Sequence, residues 1–72
     1  MQKQTWTIGR KVYEATHVIN KDVFRGNSDR ICPAGTQVYL AASRKEADGW
    51  KVFVMPPTGG AFVTEWENLN KI

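Results

Sequence analysis

Short runs in which polar and apolar residues alternate occur along most of this chain. Residues 4–8 read QTWTI, with Trp6 and Ile8 on one side. Residues 36–43 read TQVYLAAS, with Val38 and Leu40 on one side and Tyr39 on the other. Alternation of period two, rich in β-branched and aromatic residues, is typical of a half-buried β-strand. We therefore predict a strand in each run.

The run WKVFVM at residues 50–55 predicts a further strand. Trp50, Val52 and Val54 share one of its faces, and Lys51, Phe53 and Met55 share the other. The preceding ADG at 47–49 is typical of a hairpin turn. Two prolines at 56 and 57 end the strand, because proline has no N–H to donate to a sheet.

Three segments give weaker patterns. Residues 11–19, KVYEATHVI, favour a strand by composition, although a short helix also fits. Residues 20–35, NKDVFRGNSDRICPAG, are rich in turn-forming residues, Asn27 among them, and predict a long irregular loop. Loops of this length in small domains are often functional. Residues 61–66, AFVTEW, begin as a strand, and a short polar segment, ENLNKI, follows.

These elements predict an all-β fold of about five short antiparallel strands in a single domain that spans residues 1–72. So few strands hide their edges most economically by bending into a small barrel. We expect Val38, Leu40, Val52 and Val54 to form its core.

The stretch from residue 32 to residue 72 resembles an SH3-like β-barrel, especially the bacterial kind. The matching pattern is a glycine before a V-x-L strand, a turn into Gly-Trp with an alternating strand, and a glycine turn before an aromatic-Val strand. The residues that carry it are Gly35, Val38, Leu40, Gly49, Trp50, Val52, Val54, Gly60, Phe62, Val63 and Leu69. The resemblance implies that residues 20–35 form the long first loop and EWEN at 65–68 a short helical turn.

The chain departs from SH3 domains that bind proline-rich peptides. Those domains carry a proline and a tyrosine near the final turn, whereas residues 64–68 here read TEWEN. The acidic residues of the first loop are interleaved with basic ones. The resemblance therefore implies a fold without implying a proline-rich ligand.

Composition favours an intracellular protein. A lone cysteine, Cys32, forms no internal disulfide and favours a reducing compartment. No apolar stretch is long enough for a signal peptide or a membrane span, so we expect a cytoplasmic protein without a membrane partner. Of the eight aromatic residues, some must stay exposed, because so small a domain cannot enclose them all.

Catalysis is not expected, and neither is a cofactor, a metal or a small-molecule substrate. His17 is the only histidine and has no second ligand at metal-binding spacing. A nucleophilic Cys32 paired with His17 is the enzymatic alternative, but a buried thiol more often serves as a small core residue.

The favoured hypothesis is a non-enzymatic module, monomer or homodimer, that docks on a protein partner. Its size and style are similar to accessory proteins of phages and mobile elements, which inhibit or redirect a host factor. If the aliphatic positions are core, exposed aromatic residues would mark the binding site. The candidate protein-binding residues are Phe24, Arg25, Tyr39, Phe53 and Trp66.

The alternative hypothesis is a small barrel that binds nucleic acid. The net charge is +3, and the basic excess lies within residues 1–30. Small barrels bind single strands by stacking bases on aromatic rings beside basic side chains. The candidate phosphate contacts are Lys3, Arg10, Lys11, Lys21, Arg25 and Arg30.

Overall fold

The computed structural model describes residues 2–26 and 28–72, and most of these residues lie in β-strands. The strands are β1 (Thr5–Ile8), β2 (Lys11–Glu14), β3 (His17–Ile19), β4 (Val23–Arg25), β5 (Asp29–Cys32), β6 (Gln37–Glu46), β7 (Gly49–Met55), β8 (Phe62–Glu65) and β9 (Leu69–Lys71). A 3-10 helix, Trp66–Asn68, separates β8 from β9. The all-β prediction is confirmed, as is a short helical turn near residues 65–68.

The strands form three antiparallel sheets. The main sheet has the order β8-β7-β6-β3-β9, while β1 pairs with β2 and β4 pairs with β5. The described part of the chain thus holds nine strands, five of them in the main sheet. Within it, β8 and β9 are the edges and do not pair with each other, so the sheet is not closed into a barrel.

The three segments with weaker patterns all contain strands, and β8 lies within residues 61–66 as predicted. Residues 11–19 divide into β2 and β3, which resolves the choice between strand and helix. The prediction of an irregular loop at 20–35 was wrong in part, because β4 and β5 form a short hairpin there. The Asp22 carboxylate accepts a hydrogen bond from the Ala34 N–H at 2.7 Å, which ties the base of this hairpin together. The predicted turn-former Asn27 lies outside the described residues.

The core lies on one face of the main sheet. Its buried apolar residues are Ile19, Cys32, Val38, Val52, Val54 and Phe62, with Val23, Leu40 and Leu69 packed against them. The predicted core positions are thus buried, except that Leu40 is only half-buried. Cys32 is the small core residue that its single occurrence suggested.

A β-bulge in β6 changes which residues face outward. The register with β7 shifts between Leu40 and Ala42, so that Leu40 pairs with Val54 while Ala42 pairs with Phe53. Directly opposed residues on antiparallel strands point to the same side. Ala42 therefore lies on the outer face of the sheet, opposite the core, although simple alternation from Leu40 would place it on the core side.

The β1–β2 hairpin is fastened to the main sheet by a buried glutamine. The Gln37 side chain accepts a hydrogen bond from the Gln4 N–H and donates one to the Gln2 carbonyl, both at 2.7 Å. The Tyr13 ring lies edge-on to the Tyr39 ring, with centroids 5.1 Å apart. The hairpin therefore contacts the outer face of β6 near Tyr39.

None of the described helices is of a length and apolarity that would span a membrane.

Candidate functional site

Two tryptophans on separate elements line a shallow groove, which we call the Trp groove. Trp50 is the second residue of β7, Trp66 begins the 3-10 helix, and together with Ser43 they line a space of about 290 Å³. Trp50 and Trp66 are 49% and 48% exposed. Trp50 shares a strand face with buried Val52 and Val54, but it stands where the β6–β7 hairpin extends beyond the core.

A buried histidine supports Trp66 from the protein side. The His17 ring meets the Trp66 ring edge-on, with centroids 5.7 Å apart, and its Nδ1 lies 2.9 Å from the Thr16 Oγ1. Burial lowers the pKa of His17, and the positive charge of Lys71, its neighbour on β9, lowers it further. The lowered pKa favours the neutral ring of His17 at pH 7, and this ring packs against Trp66.

The lowered pKa of His17 predicts a loss of stability in mild acid. The unfolded chain, with the ordinary histidine pKa of about 6.5, takes up a proton more readily than the folded chain. The histidine contribution is therefore complete above that value and is lost as the pH falls through it and then through the folded pKa. Urea denaturation between pH 7.5 and pH 5 measures this, and His17→Gln should flatten the profile over that interval. If the free energy of unfolding of His17→Gln depended on pH as steeply as that of the wild type, His17 would not be the group responsible.

The second surface is the outer face of β6, β7 and β8, which we call the outer sheet face. Ala42, Phe53 and Val63 lie side by side across the three strands, by direct register. Phe53 is 44% exposed and Val63 is 58% exposed, and they line a depression of about 440 Å³. This is the exposed apolar face that the strand pattern predicted for Phe53.

A row of charges lies beside that apolar row. Lys51 contacts Glu65 at 3.2 Å and Asp48 at 3.5 Å, and Arg44 contacts Glu46 at 3.0 Å. The hydrogen bond to Glu65 raises the pKa of Lys51.

Two glutamates at the β8 end of the row influence each other. A hydrogen bond between Glu65 and Glu67 lowers the pKa of Glu65, which Lys51 lowers further, and raises that of Glu67. Of the two carboxylates, Glu65 is therefore the one that stays ionised as the pH falls.

The structure distributes the five predicted protein-binding residues over several surfaces. Phe53 lies on the outer sheet face and Trp66 lies in the Trp groove. Exposed Phe24 borders a neighbouring depression that it shares with Val63, and Arg25 is exposed next to it on β4. Tyr39 is half-buried against Tyr13.

Sequence reasoning did not select Trp50 or Val63 as site residues. Trp50 has the strand parity of the core, and Val63 was assigned only to the fold pattern. The one available signal for Trp50 was its position just after the hairpin turn, where strands often extend beyond the core.

The six predicted phosphate contacts lie on two hairpins and their flanks. Lys3, Arg10 and Lys11 belong to the β1–β2 region, and the other three belong to the β4–β5 region. Lys3 contacts Glu14 at 3.8 Å and Arg30 contacts Asp22 at 3.6 Å, while Lys11 lies 5.3 Å from the centre of the Tyr13 ring. Carboxylates therefore offset two of these six charges.

In residues 2–26 and 28–72, no three side chains of the metal-binding types cluster together. Cys32 is buried in the core, with its Sγ 3.8 Å from the Pro33 carbonyl oxygen.

Searches against family models, curated proteins and solved structures found no match for this chain.

Proposed function

We propose that this chain is an SH3-like domain that binds a protein partner through the Trp groove. The observation that carries the proposal is the exposure of Trp50 and Trp66 on the same groove, each at about half of its surface. Tryptophan is enriched among the residues that dominate binding energy at protein interfaces. A small domain that leaves two such rings exposed keeps their apolar surface out of its core. A partner that covers the rings buries this surface on binding.

The strand order supports the SH3-like part of the proposal. Strands β6, β7 and β8 follow one another as neighbours in the sheet, and the 3-10 helix comes next. The last strand, β9, then returns to pair with β3, the first strand of the main sheet. A helical turn followed by a closing strand is what the resemblance implies for the end of the chain.

Local charge supports a protein partner over a nucleic acid. Trp66 precedes Glu67 on the 3-10 helix, whereas Glu65 lies in the charged row of the outer sheet face and is paired with Lys51 at 3.2 Å. A phosphate backbone that approached Trp66 would be repelled by the carboxylate of Glu67. Lys45 lies opposite Trp50 on β6, beside the groove.

The partner class that we propose is a host protein that the domain inhibits or redirects, in the manner of phage and mobile-element accessory proteins. The basis for this class is the small size of the domain, 72 residues with a single cysteine. The lone reduced cysteine supports an intracellular setting.

The test is a capture experiment from nuclease-treated cell lysate with three immobilised proteins. We expect the wild type to retain a specific protein and Trp50→Ala/Trp66→Ala to lose it, because hot-spot tryptophans cost more than about 2 kcal/mol each when truncated. Val12→Ala is the control, since it removes an exposed apolar side chain from the β1–β2 hairpin. Quantitative mass spectrometry gives the readout.

Two outcomes would contradict the proposal. In the first, the double tryptophan variant retains the same proteins as the wild type. In the second, capture requires nucleic acid, falls steeply with salt and is lost on charge reversal of Lys21, Arg25 and Arg30. The second outcome would establish the nucleic-acid alternative, because phosphate neutralisation releases counterions.

A further inference from the structure

We propose that the outer sheet face is a self-association surface, on which two copies of this chain pack face to face about a two-fold axis that runs along β7. This interface adjoins the Trp groove at Ser43 but contains neither tryptophan, and it does not depend on the proposed function. The argument rests on the order of residues across β6, β7 and β8, which complements itself under that symmetry.

The apolar row supplies the contact at the centre. Ala42, Phe53 and Val63 are opposed in register across the three strands, and the last two side chains are about half-exposed. A two-fold axis along β7 exchanges the positions of β6 and β8. Phe53 then meets Phe53 of the second copy, and Ala42 meets Val63 of the second copy. A small side chain thus opposes a larger one on each side of the central rings.

The charged row complements itself under the same rotation. Arg44, Lys51 and Glu65 are opposed in register one step along the strands from the apolar row. Exchange of β6 and β8 brings Arg44 opposite Glu65 of the second copy, and symmetry repeats this pair. A closed two-fold interface has this property, since each contact between unlike residues occurs twice.

The other in-plane two-fold axis, at right angles to the strands, does not fit. It would reverse the strand direction and, if it passed through the apolar row, would leave Phe53 opposite Phe53 but place Arg44 and Lys51 of one copy over Tyr39 and Met55 of the other. These charges would lose water without gaining partners. Charge and apolar complementarity therefore select the axis along β7.

Contacts within each copy make the arrangement electrostatically tolerable. Lys51 faces Lys51 of the second copy, but Glu65 at 3.2 Å and Asp48 at 3.5 Å offset its charge within its own chain. Arg44 contacts Glu46 at 3.0 Å and is strongly exposed, so its guanidinium has further N–H groups to offer. The carboxylate of Glu65 has two oxygens and can accept from both Lys51 and the second copy.

The surface is too small for tight association. Three strands and two rows of side chains cover much less than the roughly 1,200–2,000 Å² that stable interfaces bury. We therefore expect a weak dimer that forms as the concentration rises from micromolar to millimolar, with the sheets about 10 Å apart.

The test is sedimentation equilibrium with charge reversals on opposite ends of the row. Arg44→Glu places acidic residues opposite each other in a homodimer, and Glu65→Arg places basic residues opposite each other. We expect each variant alone to self-associate at least about tenfold more weakly than the wild type, a change of about 1.4 kcal/mol. An equimolar mixture of the two restores both opposite-charge pairs, and we expect it to form a heterodimer.

Further variants distinguish this surface from others. Phe53→Ala should weaken self-association without any change of charge, whereas Trp50→Ala/Trp66→Ala should leave it intact. Circular dichroism shows whether each variant is folded. If a variant is unfolded, the wild-type concentration series still tests whether the chain self-associates. A wild type that stays monomeric at millimolar concentration overturns the proposal. The proposal is also overturned if the Arg44→Glu and Glu65→Arg mixture associates no more strongly than either variant alone. It is overturned as well if the dimer is lost in Trp50→Ala/Trp66→Ala but retained in Phe53→Ala.

Discussion

Val54→Ala is expected to lower the free energy of unfolding by about 2–3 kcal/mol, through lost burial and the cavity that remains. Val54 is 0% exposed and lies in the core cluster. A 72-residue domain is stable by only about 4–11 kcal/mol in total, so the loss is a large fraction. Urea denaturation followed by tryptophan fluorescence measures the shift in midpoint.

Val12→Ala is the matched control for that variant. It makes the same change at a position that is 68% exposed, on a strand of the β1–β2 hairpin. We expect a loss below about 1 kcal/mol, because only strand propensity and little burial are involved. Equal losses in the two variants would show that the assigned core face is wrong.

Gln37→Ala is expected to cost about 1–3 kcal/mol, because it removes two part-buried hydrogen bonds that hold the N-terminal segment. The side chain of Gln37 holds the Gln4 N–H and the Gln2 carbonyl. The Ala15 N–H in turn donates to the Gln4 carbonyl at 2.9 Å. Hydrogen exchange should therefore speed up at Gln4 and Ala15 before it does in the main sheet.

Gln2→Ala is the matched control for Gln37→Ala, since it removes an exposed glutamine side chain but keeps the backbone carbonyl that Gln37 contacts. We expect its stability to lie within about 0.5 kcal/mol of the wild type. If exchange at Gln4 were unchanged in Gln37→Ala, the hairpin would be fastened by contacts other than this side chain.

Period-two patterns predicted the parts of the fold in which a strand has one buried face. Val52 and Val54 are buried and Phe53 is exposed, as their alternation indicated. The turn at 47–48 and the end of β7 before Pro56 also followed from local residue preferences. These features depend on nearest neighbours along the chain, which a sequence displays directly.

Features that depend on strand pairing could not be predicted in the same way. The bulge between Leu40 and Ala42 has no local marker such as glycine, yet it decides that Ala42 and Arg44 face outward. The hairpin of β4 and β5 was missed because its strands are only three and four residues long. Such short strands show too few alternations to be distinguished from a loop.

The candidate site was predictable only in kind. The sequence indicated that exposed aromatic residues would mark a binding surface, and Trp66 and Phe53 are both about half-exposed. It gave no reason to join Trp66 with Trp50, because the two lie 16 positions apart and meet only through the pairing of β7 with β8. Their common groove is a property of the folded sheet.

The most direct test of the central claim is photo-crosslinking from within the Trp groove. A benzophenone amino acid replaces Ser43 in one protein and Val12 in a control, and both are irradiated in nuclease-treated cell lysate. We predict a discrete protein adduct from position 43 that is absent from position 12 and is lost in the Trp50→Ala/Trp66→Ala background. No adduct from position 43, or one that persists without the two tryptophans, would contradict the claim that this groove binds a protein.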